Sequence, residues 1–207
     1  MTTSAVLADS ARGYLLDGTI SVIPDTIKVA LLASTYNPRP AAAAWMPSVA
    51  YAANTIVVSG GMYYEATVSG VSSGTLPLLT TVRGATTIDN TVTWYCWGYM
   101  PPCVHSTWAE VSSHEIAGTG YTAGGVALAG KSIVLANHKA GFTASPATWA
   151  SALFSARFAC VYKVGTANAI TNPLIGIILL DSANADVVVP TTASFSLVWP
   201  ALGLFTF

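Results

Sequence analysis

Residues 172–184 read Asn-Pro-Leu-Ile-Gly-Ile-Ile-Leu-Leu-Asp-Ser-Ala-Asn. An apolar run, Leu174 to Leu180, stands between the turn formers Asn172-Pro173 and Ser182-Ala183-Asn184. Its length, its Ile content and the turn residues at both ends predict a buried strand rather than a helix. It falls far short of the roughly 20 residues that cross a membrane. The same pattern recurs in both directions along the chain. Arg157 to Val164 precedes it, and Ala193 to Trp199 follows. Thr26 to Leu32 (Thr-Ile-Lys-Val-Ala-Leu-Leu) comes after Pro24-Asp25 and stops before the turn-rich Asn37-Pro38-Arg39-Pro40. Ser132 to Leu135, Thr55 to Val58, Met62 to Val68 and Val92 to Trp97 complete the set, with Ser59-Gly60-Gly61 reading as a hairpin link. Many short strands with regular turn signals predict a mainly β protein with β-sandwich-like or barrel-like packing, not an α/β sheet.

One N-terminal helix is expected. Leu7, Ala11, Tyr14 and Leu15 fall on one stripe, Ser4 is placed to cap its start, and Gly18 after Asp17 to stop it. Composition then shifts in the middle of the chain. Between Pro40 and Pro101 aromatics and glycine accumulate: Trp45, Tyr51, Tyr63, Tyr64, Trp94, Tyr95, Trp97 and Tyr99. Ala41 to Ala44 and Pro101-Pro102 read as hinges. The expected organisation is a base domain of residues 1–41 with 102–207, carrying an inserted small β module over 42–101.

The 207 residues include only eight Lys or Arg and nine Asp or Glu, a net charge of −1 and 8% charged residues against 53% hydrophobic ones. Soluble domains average about 25% charged. Disorder is excluded, because it requires low hydrophobicity and high charge. A nucleic-acid partner is excluded too, since scattered cations cannot neutralise a phosphate track. Residues Met1 to Ser10 have neither a basic flank nor an apolar core, so no secretory signal is expected. A surface so poor in charge favours association; we expect much of it to lie against sister copies or other subunits. A monomer clothed in Ser and Thr hydroxyls is the alternative. Cys96, Cys103 and Cys160 cannot pair completely within one chain, and read as buried free thiols formed in a reducing cytosol.

Several stretches resemble catalytic motifs. Gly125-Val-Ala-Leu-Ala-Gly130-Lys131-Ser132 fits the phosphate-binding pattern G-x-x-x-x-G-K-[ST], and Asp181 after its apolar strand stands where a magnesium carboxylate would. That chemistry needs a strand, an open loop and then a helix facing the phosphates. Here the loop interior alternates like a strand and Ser132-Ile-Val-Leu is β-branched, so a strand pair with a turn is expected. A nucleotide hydrolase using Lys131, Ser132 and Asp181 is the most distant functional reading. His114-Glu115 lacks the second histidine of a zinc protease. Cys96, Cys103 and His105 form a loose metal-ligand set whose spacing matches no zinc knuckle. No nucleophile elbow occurs. No enzyme activity, cofactor or metal is expected. The aromatic cluster is the candidate ligand surface: Trp45, Tyr51, Tyr64 and Trp97 are of the kind that stacks on sugar faces. The competing reading makes each of them the core of a small module.

Four stretches of the base resemble a group of small structural proteins of tailed bacteriophages. They are Ile27-Lys-Val-Ala-Leu-Leu with Ser34-Thr-Tyr-Asn-Pro38; Glu115-Ile-Ala-Gly-Thr-Gly-Tyr-Thr-Ala-Gly-Gly125 with Leu128; Ala156-Arg-Phe-Ala-Cys-Val-Tyr-Lys163 with Asn172-Pro-Leu-Ile-Gly-Ile177; and Phe195-Ser-Leu-Val-Trp199 closing in Gly203-Leu-Phe-Thr-Phe207. The resemblance implies a non-enzymatic virion component made in the bacterial cytoplasm, a head decoration or cement protein bound between capsomers. Its implied partners are the major capsid protein or other virion subunits and itself, as a homotrimer, with no nucleic acid and no membrane. Tail or fibre membership, with glycans as the partner of the insertion, is the alternative. The insertion resembles small β modules of phage fibres and chitin-binding-type carbohydrate modules, through Trp45, Tyr51, Val57-Val58, Gly61, Tyr63-Tyr64, Pro77, Gly84, Asp89 and Trp94. The early helix and Leu202-Gly-Leu-Phe-Thr-Phe207 are the expected anchors to the shell.

Overall fold

The computed structural model describes residues 4–136, 138–200, 203 and 205–206. The protein is mainly β, with one short α-helix, Ala11–Leu16, among the described residues. Backbone packing divides it into two compact units, Met1–Pro38 with Pro102–Phe207, and Arg39–Pro101.

In the first unit the Leu174–Leu179 run is a strand with every residue buried. It belongs to an antiparallel sheet ordered Ser4–Leu7, Leu174–Leu179, Phe158–Lys163, Ile27–Leu32, Val126–Ala127. The three central strands are buried on both faces, which is why their sequences are nearly continuous apolar runs with no polar alternation. One face, through Val29, Leu31, Ala159, Val161 and Ile178, shares a core with Trp149, Phe154, Phe195 and Leu197. Those four come from a two-stranded ribbon, Ala147–Ala156 paired with Val187–Leu197. On the opposite face Tyr36 meets Phe158 edge-on at 5.4 Å, and Trp108 stacks on Tyr162 at 4.7 Å. Burying each Leu, Ile or Val side chain of such a core contributes roughly 1.5–3 kcal/mol.

The helix differs from its expected extent. It covers Ala11–Leu16 only, with Ser10 at its N-cap and no side-chain cap bond. Ser4 does not cap it, because Ser4–Leu7 is a strand in register with Leu174–Leu179, Val6 opposite Ile177. The sheet edge offers those residues ladder hydrogen bonds that a marginal short helix cannot match. Tyr14 and Leu15 still pack on the core as the stripe requires. Of the expected C-terminal anchor, Leu202, Leu204 and Phe207 lie outside the described residues.

The second unit is built on a sheet ordered Ala43–Ala44, Ile56–Ser59, Met62–Val68, Val92–Gly98, Thr86–Asp89. Ser59 pairs with Met62 across Gly60 and Gly61, at φ 57° and 76°. Both loop residues are thus left-handed, the requirement of a tight turn matched to strand twist, and glycine meets it at no steric cost. Gly70 is equally constrained: a Cβ there would lie 2.6 Å from the Val92 nitrogen.

Candidate functional site

The Val92–Gly98 strand alternates strictly in burial, so Val92, Trp94 and Cys96 face the core while Thr93, Tyr95 and Trp97 face outward. This parity divides the aromatic cluster into two sets. Tyr64, only 3% exposed, packs with Val57, Ala66, Trp94 and Cys96, and half-buried Trp45 and Tyr51 lean on the same core. Tyr51 meets Trp94 edge-on at 5.0 Å, and its hydroxyl accepts from the Met46 N–H at 2.8 Å. The Tyr64 ring lies within this core. Trp45 and Tyr51 are tied inward by the same core.

Asp89 organises that core. It is 2% exposed, and its Oδ2 accepts from the Trp45 indole at 2.9 Å and the Trp94 indole at 3.0 Å. Its Oδ1 accepts from the Ser73 N–H at 2.9 Å. Burial pushes the carboxyl's pKa up, but the donors from Ser73, Trp94 and Trp45 together outweigh it and hold it below the usual carboxylate range.

Of the four residues expected to bind sugar, Trp97 alone lies on the outward face of the Val92–Gly98 strand. Its indole donates to Glu65 Oε2 at 2.7 Å, the Arg83 guanidinium carbon lies 5.7 Å from its ring centre, and Tyr95 meets it edge-on at 4.9 Å. Glu65 and Arg83 are not among the residues the sequence marks out, and Tyr95 is marked only as one of the aromatics of the insertion. The period of two through Trp94 was the available signal, since it places Tyr95 and Trp97 together and opposite Trp94.

In the first unit the phosphate-loop pattern takes a different form. Gly125 is followed by Val126–Ala127, paired with Ile27–Leu32, and Ser132–Ala136 is a strand paired with Lys139–Thr143. The two strands of the pattern thus join different sheets rather than pairing with each other, and Lys131 leads into a strand instead of a helix. The Lys131 ammonium donates to the Asp25 backbone carbonyl. Asp181 accepts from the Ala183 N–H at 2.7 Å, closing its own turn. The Gly-rich stretch is organised by Glu115, whose Oε1 accepts from the Tyr121 hydroxyl and the Gly124 N–H, both at 2.6 Å. Tyr121 in turn accepts from the Leu31 N–H at 3.0 Å, and the Tyr162 hydroxyl donates to the Gly124 carbonyl at 2.8 Å. Burial and the Glu115 bond drive the Tyr121 pKa strongly up. This network fastens a turn to a sheet.

Cys103 and His105 do come together, with Tyr36 between them. The tyrosine hydroxyl lies 3.2 Å from both the Cys103 sulfur and His105 Nδ1. Burial raises the Cys103 thiol and lowers the His105 imidazole, the reverse of the thiolate–imidazolium polarity that activates a cysteine. Cys96 sits in the core of the other unit. Among the described residues no three His, Cys, Asp or Glu side chains are placed to hold a metal. Because Cys96, Cys103 and Cys160 are all buried and free, native protein at neutral pH is expected to resist iodoacetamide at all three. Full labelling appears after unfolding, read by intact mass. Rapid native labelling of any one contradicts its burial.

No protein family model, no curated protein and no solved structure matches this chain.

Proposed function

We propose that this chain is a structural subunit of a tailed bacteriophage particle, a head decoration protein that works by adhesion. The supporting observation is the outward face of the Ala147–Ala156 and Val187–Leu197 ribbon. Thr148, Ala150, Ser151, Leu153 and Ser155 point out from one strand, and Val188, Pro190, Ser194 and Ser196 from the other. None is charged, and Val188 is 61% exposed. An uncharged face of this kind, with an apolar side chain standing out from it, is suited to contact. In this reading the unit of 1–38 with 102–207 is a sandwich-like base, its sheet and ribbon closed on one core, and the aromatic unit is a module inserted into it. Copies close as a trimer around a three-fold position of the shell, and a standard interface of about 800 Å² per partner would hold each contact. The resemblance of the base segments to phage structural proteins supports the same assignment.

Quantitative mass spectrometry of purified particles tests this. A decoration protein is expected at a copy number comparable with the major capsid protein. A few copies per particle would move the chain to a tail or fibre, and its absence from particles would end the proposal.

A further inference from the structure

We infer that Tyr36, Cys103 and His105 form a binding site for a zinc ion, with the phenol oxygen, the thiolate and the imidazole as its protein ligands. This goes beyond the assembly role and does not depend on where in a particle the chain resides.

The separations of the three donor atoms carry the inference. The Tyr36 hydroxyl oxygen lies 3.2 Å from both the Cys103 sulfur and His105 Nδ1, and the sulfur lies 3.7 Å from that nitrogen. A triangle of these sides has a point about 2 Å from every corner, close to the roughly 2.0–2.3 Å of zinc bonds to oxygen, nitrogen and sulfur. His, Cys, Asp and Glu alone fall short of a site here; the phenol supplies the missing donor. The sequence groups Cys103 and His105 with Cys96, but Cys96 belongs to the core of the other unit, and Tyr36 takes its place.

Two segments of the first unit build the triangle. Val104, between the two ligands, is 39% exposed, so alternation sends Cys103 and His105 to the other side together. The Asp9 N–H donates to the Cys103 carbonyl at 2.8 Å, and the Val104 N–H to the Pro38 carbonyl at 3.2 Å. These bonds fix the segment beside Tyr36, whose ring is held in turn by its edge-on contact with Phe158 at 5.4 Å. Ligands ordered before the ion arrives spare it that entropic cost. Tyr36 and Cys103 are buried whereas His105 is half-buried, so the ion enters past the imidazole.

The surrounding charge suits a cation. The Asp9 and Glu110 carboxylates act on Cys103, and Glu110 acts on His105 as well. Their field offsets the positive charge that a dication retains on a single thiolate. On binding, the sulfur–zinc bond replaces S–H and the proton passes to solvent, with no change of oxidation state. Calcium and magnesium fit poorly, because they take oxygen ligands, whereas thiolate and imidazole select softer metals.

The full chain, reduced and stripped with EDTA, should be titrated with cobalt(II) as a spectroscopic probe and then with zinc(II) in competition. Saturable, equimolar cobalt binding is expected, with a sulfur-to-metal charge-transfer band that zinc abolishes. Cys103→Ser should lose the band. Tyr36→Phe keeps the ring on Phe158 and removes the donor oxygen, and His105→Gln changes a half-buried side chain. Both should weaken binding at least about tenfold, with circular dichroism spectra unchanged. His138→Asn, at an exposed histidine, should bind as the wild type does. No saturable binding by the wild type, binding without the band, or affinity unchanged in Tyr36→Phe or His105→Gln overturns the site. So does loss of binding in His138→Asn. Each of these results leaves the three atoms as a hydrogen-bonded clasp without a metal.

Discussion

Replacing Asp89 with alanine is expected to destabilise the 39–101 unit by about 3–5 kcal/mol, with Asp89→Asn costing less. The carboxylate is the common acceptor for two indole N–H groups and the Ser73 backbone N–H. Removing it leaves all three donors without their partner in a site that is 2% exposed. Each buried unsatisfied donor costs about 1–3 kcal/mol, and Trp45 would also lose the bond that orients it over the core. Asparagine keeps one acceptor oxygen but turns an amide toward the remaining donor. The same carboxylate makes the unit acid-sensitive. Its folded pKa is depressed despite burial, so its contribution is complete above the unfolded value of about 3.9 and is lost as pH falls through the folded value. Hydrogen exchange of the full chain, followed by peptide, reads both effects in this unit. Protection of the Val92–Gly98 strand that is the same in Asp89→Ala as in wild type, or an acid response that persists in Asp89→Asn, would refute the account.

The sequence made this unit legible wherever a strand's apolar residues point to one side and its turn demands glycine. Met62–Val68 forms as expected, and the hairpin at Gly60-Gly61 follows from the two positive φ angles. The central strands of the first unit were equally plain, because two buried faces leave an uninterrupted apolar run. Less was visible where side chains are small. Ala147–Ala156 has strict alternation up to Ser151, where φ of 51° and a register shift interrupt it, but its Ala and Ser residues carry little strand preference. Val187–Leu197 passes through Pro190, which shortened the expected strand to its second half; proline is tolerated there because the ribbon edge needs no donor. Ser4–Leu7 failed for the opposite reason. Leu7 fits a helical stripe and Ser4 a cap, and only the distant partner strand Leu174–Leu179 decides for the strand. Candidate site residues were legible as a composition and not as a geometry. Trp45, Tyr64 and Trp97 look alike in sequence, and the side of the sheet each one faces separates them.

The second large effect is expected at Gly125. Its φ is +68°, and a Cβ would lie 2.6 Å from the Ala30 Cα while colliding with the Val29 carbonyl oxygen. Left-handed backbone costs a residue with a side chain about 1–2 kcal/mol, and overpacking about 1–3 kcal/mol more. The obstruction is the backbone of a central strand, which pairs with Phe158–Lys163 on one side and Val126–Ala127 on the other, so it cannot step aside as a flexible side chain would. Gly125→Ala should therefore lose about 2–5 kcal/mol, a fall of roughly 1–2 M in the urea midpoint. Gly13→Ala is the matched control: nothing lies within 4 Å of its Cβ and it sits in the helix, where alanine is favoured by up to about 1 kcal/mol. The comparison also bears on the phosphate-loop pattern. A glycine retained for a nucleotide would be replaceable without loss of fold, whereas one retained for close approach of two strands is not. Equal urea midpoints for Gly125→Ala and Gly13→Ala would remove the packing explanation and return the glycine to the pattern it mimics.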